Sequence, residues 1–97
     1  MPYAVVHHFP GGTKEQYEAS VATIHPDGGA SLPEGQIAHF AGPSQEGWVV
    51  VAVLESEDAW TGFRDGVLMP AMAAGIAGGF ESMPQETAFE VDTRHNV

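Results

Sequence analysis

Apolar and polar residues change spacing several times along the chain, and each change marks an element. Tyr3 to Phe9 is rich in aromatic and β-branched residues and is stopped by Pro10-Gly11-Gly12, which predicts a strand, β1, and then a turn. Thr13 precedes Gln16 at capping-box spacing, and Tyr17, Val21 and Ile24 follow at i, i+4 and i+7, on one face of a predicted helix, α1. His25-Pro26 ends it. Residues 25–35 hold two Pro and three Gly in eleven positions and read as a loop. Gln36 to Ala41 predicts β2, closed by Gly42-Pro43, and Trp48 to Leu54 predicts β3, the two forming a hairpin. Ser56 can cap a second helix, α2. Its first turn holds Glu57 and Asp58, favourable at the positive end of the helix dipole, and Trp60, Phe63 and Val67 share a face. Pro70 lacks a backbone donor and its ring presses toward Gly66, so the helix is expected to kink there, continue through Ala71 to Ala74, and end at Gly75. Thr87 to Val91 predicts β4, with an extension toward Val97.

The order is βαββαβ. Right-handed crossovers put both helices on one face of a single four-stranded antiparallel sheet, so the expected class is α+β with a ferredoxin-like arrangement and one domain over residues 1–97. The faces of β3 then become informative: Trp48, Val50, Ala52 and Leu54 lie on one side and Val49, Val51 and Val53 on the other. Both are apolar, while the helices cover only one. The economical cover for the second is the same sheet of another copy, which predicts a homodimer with sheets face to face.

Charge narrows the partners. Three Lys or Arg against thirteen Asp or Glu give a net charge of −10, so the chain lacks the cationic footprint that nucleic acid or an anionic membrane surface requires. The absence of Cys excludes disulfides, thiolate metal sites and cysteine nucleophiles, and fits a reducing compartment. No basic start followed by an apolar run marks a signal peptide, and the apolar region from Val67 to Phe80 is broken by Pro70, Gly75, Gly78 and Gly79. The expectation is a cytoplasmic chain.

The βαββαβ plan resembles the dimeric α/β-barrel superfamily, which includes antibiotic biosynthesis monooxygenase domains and haem-degrading monooxygenases. YAVVHHFPGGTKEQY, LPEGQIAHFAGP, GWVVVAVLES running into EDAWTGFRDGVLMPAM, and the terminal HNV are similar to small bacterial members of it. The resemblance implies a ligand cleft between the helices and the sheet of one subunit. It also exposes departures. Cofactor-independent oxygenases of this kind use an Asn, and here the single Asn is Asn96; haem-degrading members use a histidine on the second helix, and none lies there. One scaffold in this superfamily serves oxygenases, isomerases and ligand sensors, so the resemblance alone names no reaction.

Within such a cleft the candidate catalytic residues are His39 first and His7 second. An imidazole inside an apolar strand, with a pKa near neutrality, can take a proton from a phenol or enol; alternatively it serves structure by bonding backbone groups. Alternation groups Tyr3, Val5, His7 and Phe9 on one face of β1, with His8 opposite, and Ile37, His39 and Ala41 on one face of β2. Which face meets the helices is open at this stage. Trp60, Phe63, Val67 and Tyr17 are the candidate substrate-binding side chains, each also readable as core or, for Tyr17, as a hydroxyl at the solvent edge. With β3 between them, His7 and His39 stand roughly 10 Å apart, poorly placed for a shared ion, so no metal site and no cofactor are expected. Gly11-Gly12 reads as a turn, without a phosphate-binding fingerprint. The resulting expectation is a cofactor-independent monooxygenase or isomerase acting on a small aromatic or enolisable metabolite. The alternative is a non-catalytic ligand-binding or stress-response dimer whose cleft its own aromatic side chains fill. An open cavity lined by a histidine distinguishes the two.

Overall fold

The computed structural model describes residues 1–25 and 31–93, so residues 26–30 of the predicted 25–35 loop, Asn96 and the end of the suggested β4 extension lie outside the described residues. The elements are β1 (Tyr3–Pro10), α1 (Lys14–Ile24), β2 (Gln36–Ser44), β3 (Gly47–Leu54), α2 (Glu57–Phe63), a π turn (Arg64–Leu68), α3 (Met69–Ala74) and β4 (Gln85–Glu90). The strands form one antiparallel sheet in the order β2-β3-β1-β4. The chain is therefore α+β, and this arrangement is compatible with a ferredoxin-like fold.

Local chemistry explains the element ends. Thr13 caps α1 through a complete capping box: its Oγ accepts from the Gln16 N–H at 3.1 Å while Gln16 Oε1 accepts from the Thr13 N–H at 3.1 Å. Ser56 Oγ accepts from the Ala59 N–H at 3.1 Å and starts α2. Gly75, at φ +83°, ends α3 in a backbone conformation that a side chain would strain. Gly47 has a different reason, since a Cβ there would collide with the Phe9 carbonyl oxygen where β3 begins beside β1.

Two expectations are corrected. First, β2 does not close at Gly42-Pro43 but runs on to Ser44, pairing Pro43 with Trp48; β2 is an edge strand, where a missing N–H costs no ladder bond. Second, β4 starts at Gln85 rather than Thr87 and ends at Glu90, with His8 pairing Gln85 and Tyr3 pairing Glu90. As expected, the helix continues past Pro70 through Ala74 and ends at Gly75. The turn before Pro70 widens, and the Met69 N–H bonds the Arg64 carbonyl across five residues. A widened turn relieves the crowding and the lost bond that proline imposes on the preceding helix.

The core lies between the helices and the sheet face that carries Val5 and Leu54, on which Trp60 packs with only 4% of its surface exposed. Tyr3, Ala52, Ala59, Phe63, Leu68 and Ala88 surround that cluster. The opposite face carries Val49, Val51 and Val53, with Val51 paired between Val6 and Phe40. Phe40 is 63% exposed and Phe89 49%. Among the described residues, no helix is long and apolar enough to cross a membrane.

Candidate functional site

Between the helices and the sheet lies an open cavity of about 640 Å³, and its wall combines β1, β2 and β3 with α1, α2 and the 75–81 segment. Strand alternation delivers Val5, His7 and Phe9 from β1 and Val50 and Ala52 from β3, while α1 contributes Tyr17, Ser20 and Val21. The helix-facing side of β1 is thus the one that holds His7. Ser20, 7% exposed, fastens the far wall: its Oγ donates to the Gln16 carbonyl at 2.9 Å and accepts from the Phe80 N–H at 3.4 Å. Phe80 in turn stacks on Phe9, ring centroids 3.7 Å apart and 8° from parallel.

A chain of polar side chains crosses one end of this otherwise apolar cavity. Tyr17 Oη lies 2.7 Å from His39 Nε2, and His39 Nδ1 lies 2.8 Å from Gln36 Oε1. A carbonyl oxygen only accepts, so Nδ1 carries the imidazole proton and Nε2 accepts from the Tyr17 hydroxyl. His39 therefore spends both ring nitrogens on side chains and none on backbone. His25, the residue that caps α1, sets its ring edge-on to His39 with centroids 4.8 Å apart. Burial, and then the neighbouring His25, lower the His39 pKa to about 4. The expectation of an imidazole titrating near neutrality is thereby corrected: His39 stays uncharged at physiological pH. Burial likewise lowers the pKa of His25, opposed by a backbone bond at Ser31, and raises that of Tyr17, which keeps its proton.

A second polar pair sits across the cavity. His7 Nε2 lies 2.8 Å from Glu86 Oε1, its partner across β1 and β4, with the His7 side chain 13% exposed and that of Glu86 42%. Its ring packs edge-on against Trp60 at 5.6 Å and Phe9 at 6.2 Å. His7 also lines a smaller adjoining cavity of about 210 Å³, shared with Arg64, Met69, Met83 and Glu86.

Of the residues singled out from the sequence, His39, His7, Tyr17, Trp60 and Phe63 come together around this cavity. Val67 does not. The π turn adds a residue between Phe63 and the next inward position, so Leu68 takes the wall and Val67 is 42% exposed. Sequence reasoning also missed Gln36. Strict alternation pairs Ile37 with His39, but a bulge between Gln36 and Ala38 turns Ile37 outward, 42% exposed, and carries Gln36 to the helix side. His25 was legible, standing two i+4 steps from Tyr17 on the same helical stripe. Glu86 had no local signal, because only the β1–β4 register puts it against His7. Among the described residues, no group of three or more His, Asp or Glu side chains gathers where it could hold a metal ion.

Trp48 adds one unusual donor to this end. It is buried, with its ring 5.4 Å from that of Tyr17, and its indole N–H finds no acceptor among the described residues. Comparison with protein-family models, with curated proteins and with solved structures finds no match.

Proposed function

We propose that the cavity is a proton-transfer site for an uncharged aromatic or enolisable small molecule, working without a bound cofactor. One observation carries this reading: the 2.7 Å Tyr17–His39 bond at the wall of an open cavity of about 640 Å³. That size suits a small-molecule ligand, and a few convergent polar groups in an apolar wall are what orient one. The charge of the ligand follows from the lining, which among the described residues holds Glu81 but no Lys or Arg, so none of them compensates a carboxylate or phosphate.

The chemistry follows from the hydrogen-bond direction. Tyr17 gives its proton to His39 Nε2 and keeps oxygen lone pairs for a phenol or enol O–H. As that proton moves onto the Tyr17 oxygen, the Tyr17 proton can pass to His39, leaving an imidazolium and a substrate anion formed together. Gln36 holds the imidazole in the tautomer this transfer needs. The anion then regains a proton at another atom, an isomerisation, or is oxidised by dioxygen, a monooxygenation. A non-catalytic ligand-binding dimer is the second reading, favoured by the low basicity of His39, which makes each such transfer harder.

The test is a panel of uncharged phenols and cyclic ketones, followed by solvent deuterium uptake and by dioxygen consumption. His39→Gln keeps much of the hydrogen-bonding shape and removes the base, so turnover is expected to fall about 10²-fold while the fold survives. Unchanged turnover in that variant overturns the assignment, and binding without any turnover across the panel favours the second reading.

We further propose the dimeric α/β-barrel assembly, two copies packed through the Val49, Val51 and Val53 face. Its support is an open sheet face whose centre is apolar and whose Phe40 and Phe89 are largely exposed. Light scattering at micromolar concentration is expected to give twice the chain mass; a stable monomer overturns the assembly.

A further inference from the structure

We infer that His7 and Glu86 form the carbon-acid end of the same site, so that the substrate is a ketone whose enolisation His7 drives while Tyr17 holds the oxygen. The inference rests on the cavity reading above and specifies it as redox-neutral keto–enol chemistry.

The two ends of the cavity differ in a way that suits two different protons. At Tyr17–His39–Gln36 every group is uncharged, and the outermost atom is a hydroxyl oxygen. Such an end accepts from an enol O–H as it stands, and donates to a carbonyl oxygen once the Tyr17 hydroxyl turns from His39. At the other end the partner of the imidazole is a carboxylate at 2.8 Å. A carboxylate accepts only, so His7 Nε2 carries the proton, and Nδ1 is left with the lone pair a base requires. The carboxylate also steadies the imidazolium that forms when Nδ1 takes a second proton, an advantage His39 lacks with His25 as its ionisable neighbour.

The register fixes the span. His7 pairs with Val50 and His39 with Ala52, with β3 between β1 and β2, so the two Cα atoms stand two strand spacings and two residues apart, roughly 12 Å. Trp60, edge-on to His7, and Phe63 beside it line the same cavity and offer ring area at the His7 end. A fused two-ring ketone fits this span better than a single ring. In the step itself, His7 Nδ1 removes a proton from the carbon beside the carbonyl. The C–H pair becomes the new C=C bond, and the carbonyl π pair moves to oxygen, toward which the Tyr17 hydroxyl turns its one proton, away from His39 Nε2. Return of the proton to carbon completes the cycle, with no oxidant or reductant consumed. His7 is thus a catalytic residue and Glu86 a positioning residue.

The experiment uses 2-tetralone, an uncharged fused-ring ketone, with the full chain in D₂O. Binding is read from shifts of the Trp60 and Tyr17 proton resonances, and chemistry from the loss of the protons beside the carbonyl. Wild type is expected to bind and to accelerate exchange over buffer. His7→Gln lowers the accelerated rate by about 10²-fold, and Glu86→Gln by about 10-fold, each with the binding shifts retained. In Glu86→Gln the nitrogen-15 spectrum of His7 is expected to lose its fixed Nε2–H tautomer, a change that a purely structural role for Glu86 leaves absent. Glu90→Gln, on the same strand opposite Tyr3, leaves rate and tautomer unchanged. Binding without accelerated exchange, or His7→Gln exchanging at the wild-type rate, overturns the inference while leaving the cavity reading intact. Absence of the binding shifts at millimolar 2-tetralone overturns the cavity reading itself.

Discussion

The two faces of the sheet use neighbouring residues of the same strands and have opposite characters. The covered face, which meets the helices, carries His7, His39 and Gln36 among its apolar residues. The open face is apolar along β3, and three of its polar residues, His8, Gln85 and Ser44, gather at one end in bonds of 3.3 to 3.4 Å, with Thr87 on the edge strand opposite Val6. A sheet that served only its own core would reverse this, with apolar residues inside and polar ones toward water. The proposed ligand would account for polarity on the covered side, and the proposed second copy for apolarity on the open side. The physical distinction is between groups that need hydrogen-bond partners in a dry place and groups that need only to leave water.

The strongest way to break the comparison is Val51→Lys, at the centre of the open face between Val6 and Phe40. If that face is buried in a dimer, an unpaired charge there is expected to cost about 3–5 kcal/mol and abolish assembly in light scattering. A dimer that persists denies the open face its partner. On the covered face, Trp60→Ala removes a ring that is 4% exposed, and urea unfolding should register a loss of roughly 3–5 kcal/mol.

A finer test addresses the π turn. Leu68→Ala is expected to destabilise by about 2 kcal/mol, whereas Val67→Ser, at an exposed position, stays within about 0.5 kcal/mol. Equal effects, or the reverse order, would restore the regular helical register that places Val67 inside.

The smallest effect concerns pH. His39 titrates at about 4 in the folded chain and near 6.5 when unfolded, so between those values the unfolded chain binds more protons and stability falls as pH falls. Among the described residues, the groups facing this ring are Tyr17 and His25 from α1 and its cap, and the uncharged Gln36 from β2. Allowing for solvent screening of a half-buried ring, the loss between pH 7 and pH 4 is roughly 1–2 kcal/mol. His39→Gln should flatten that part of the urea-derived profile.

Some of this was legible without coordinates. Alternation and spacing on β1, α1, β3 and the start of α2 located the elements, because those signals are local: turn residues, caps and repeated apolar positions act within a few residues. The same local signals singled out His39, His7, Tyr17, Trp60 and Phe63, and the scarcity of cations argued against nucleic acid as a partner. What alternation could not choose was the side of β1 that the helices cover. That depends on how crossovers lay α1 and α2 over the sheet, and it decides whether His7 or His8 meets the cavity.

Other features were set only when distant segments met. The bulge that brings Gln36 to His39 is a property of the β2–β3 pairing, and the Glu86 partner of His7 is a property of the β1–β4 register. The π turn replaces Val67 with Leu68 because Pro70 acts backward on the turn before it, where a period of 3.6 no longer holds. The charge state of His39 is also tertiary. An imidazole in a strand sequence has an ordinary pKa, and it is withdrawal from water among Tyr17, His25 and the cavity wall that lowers it to about 4.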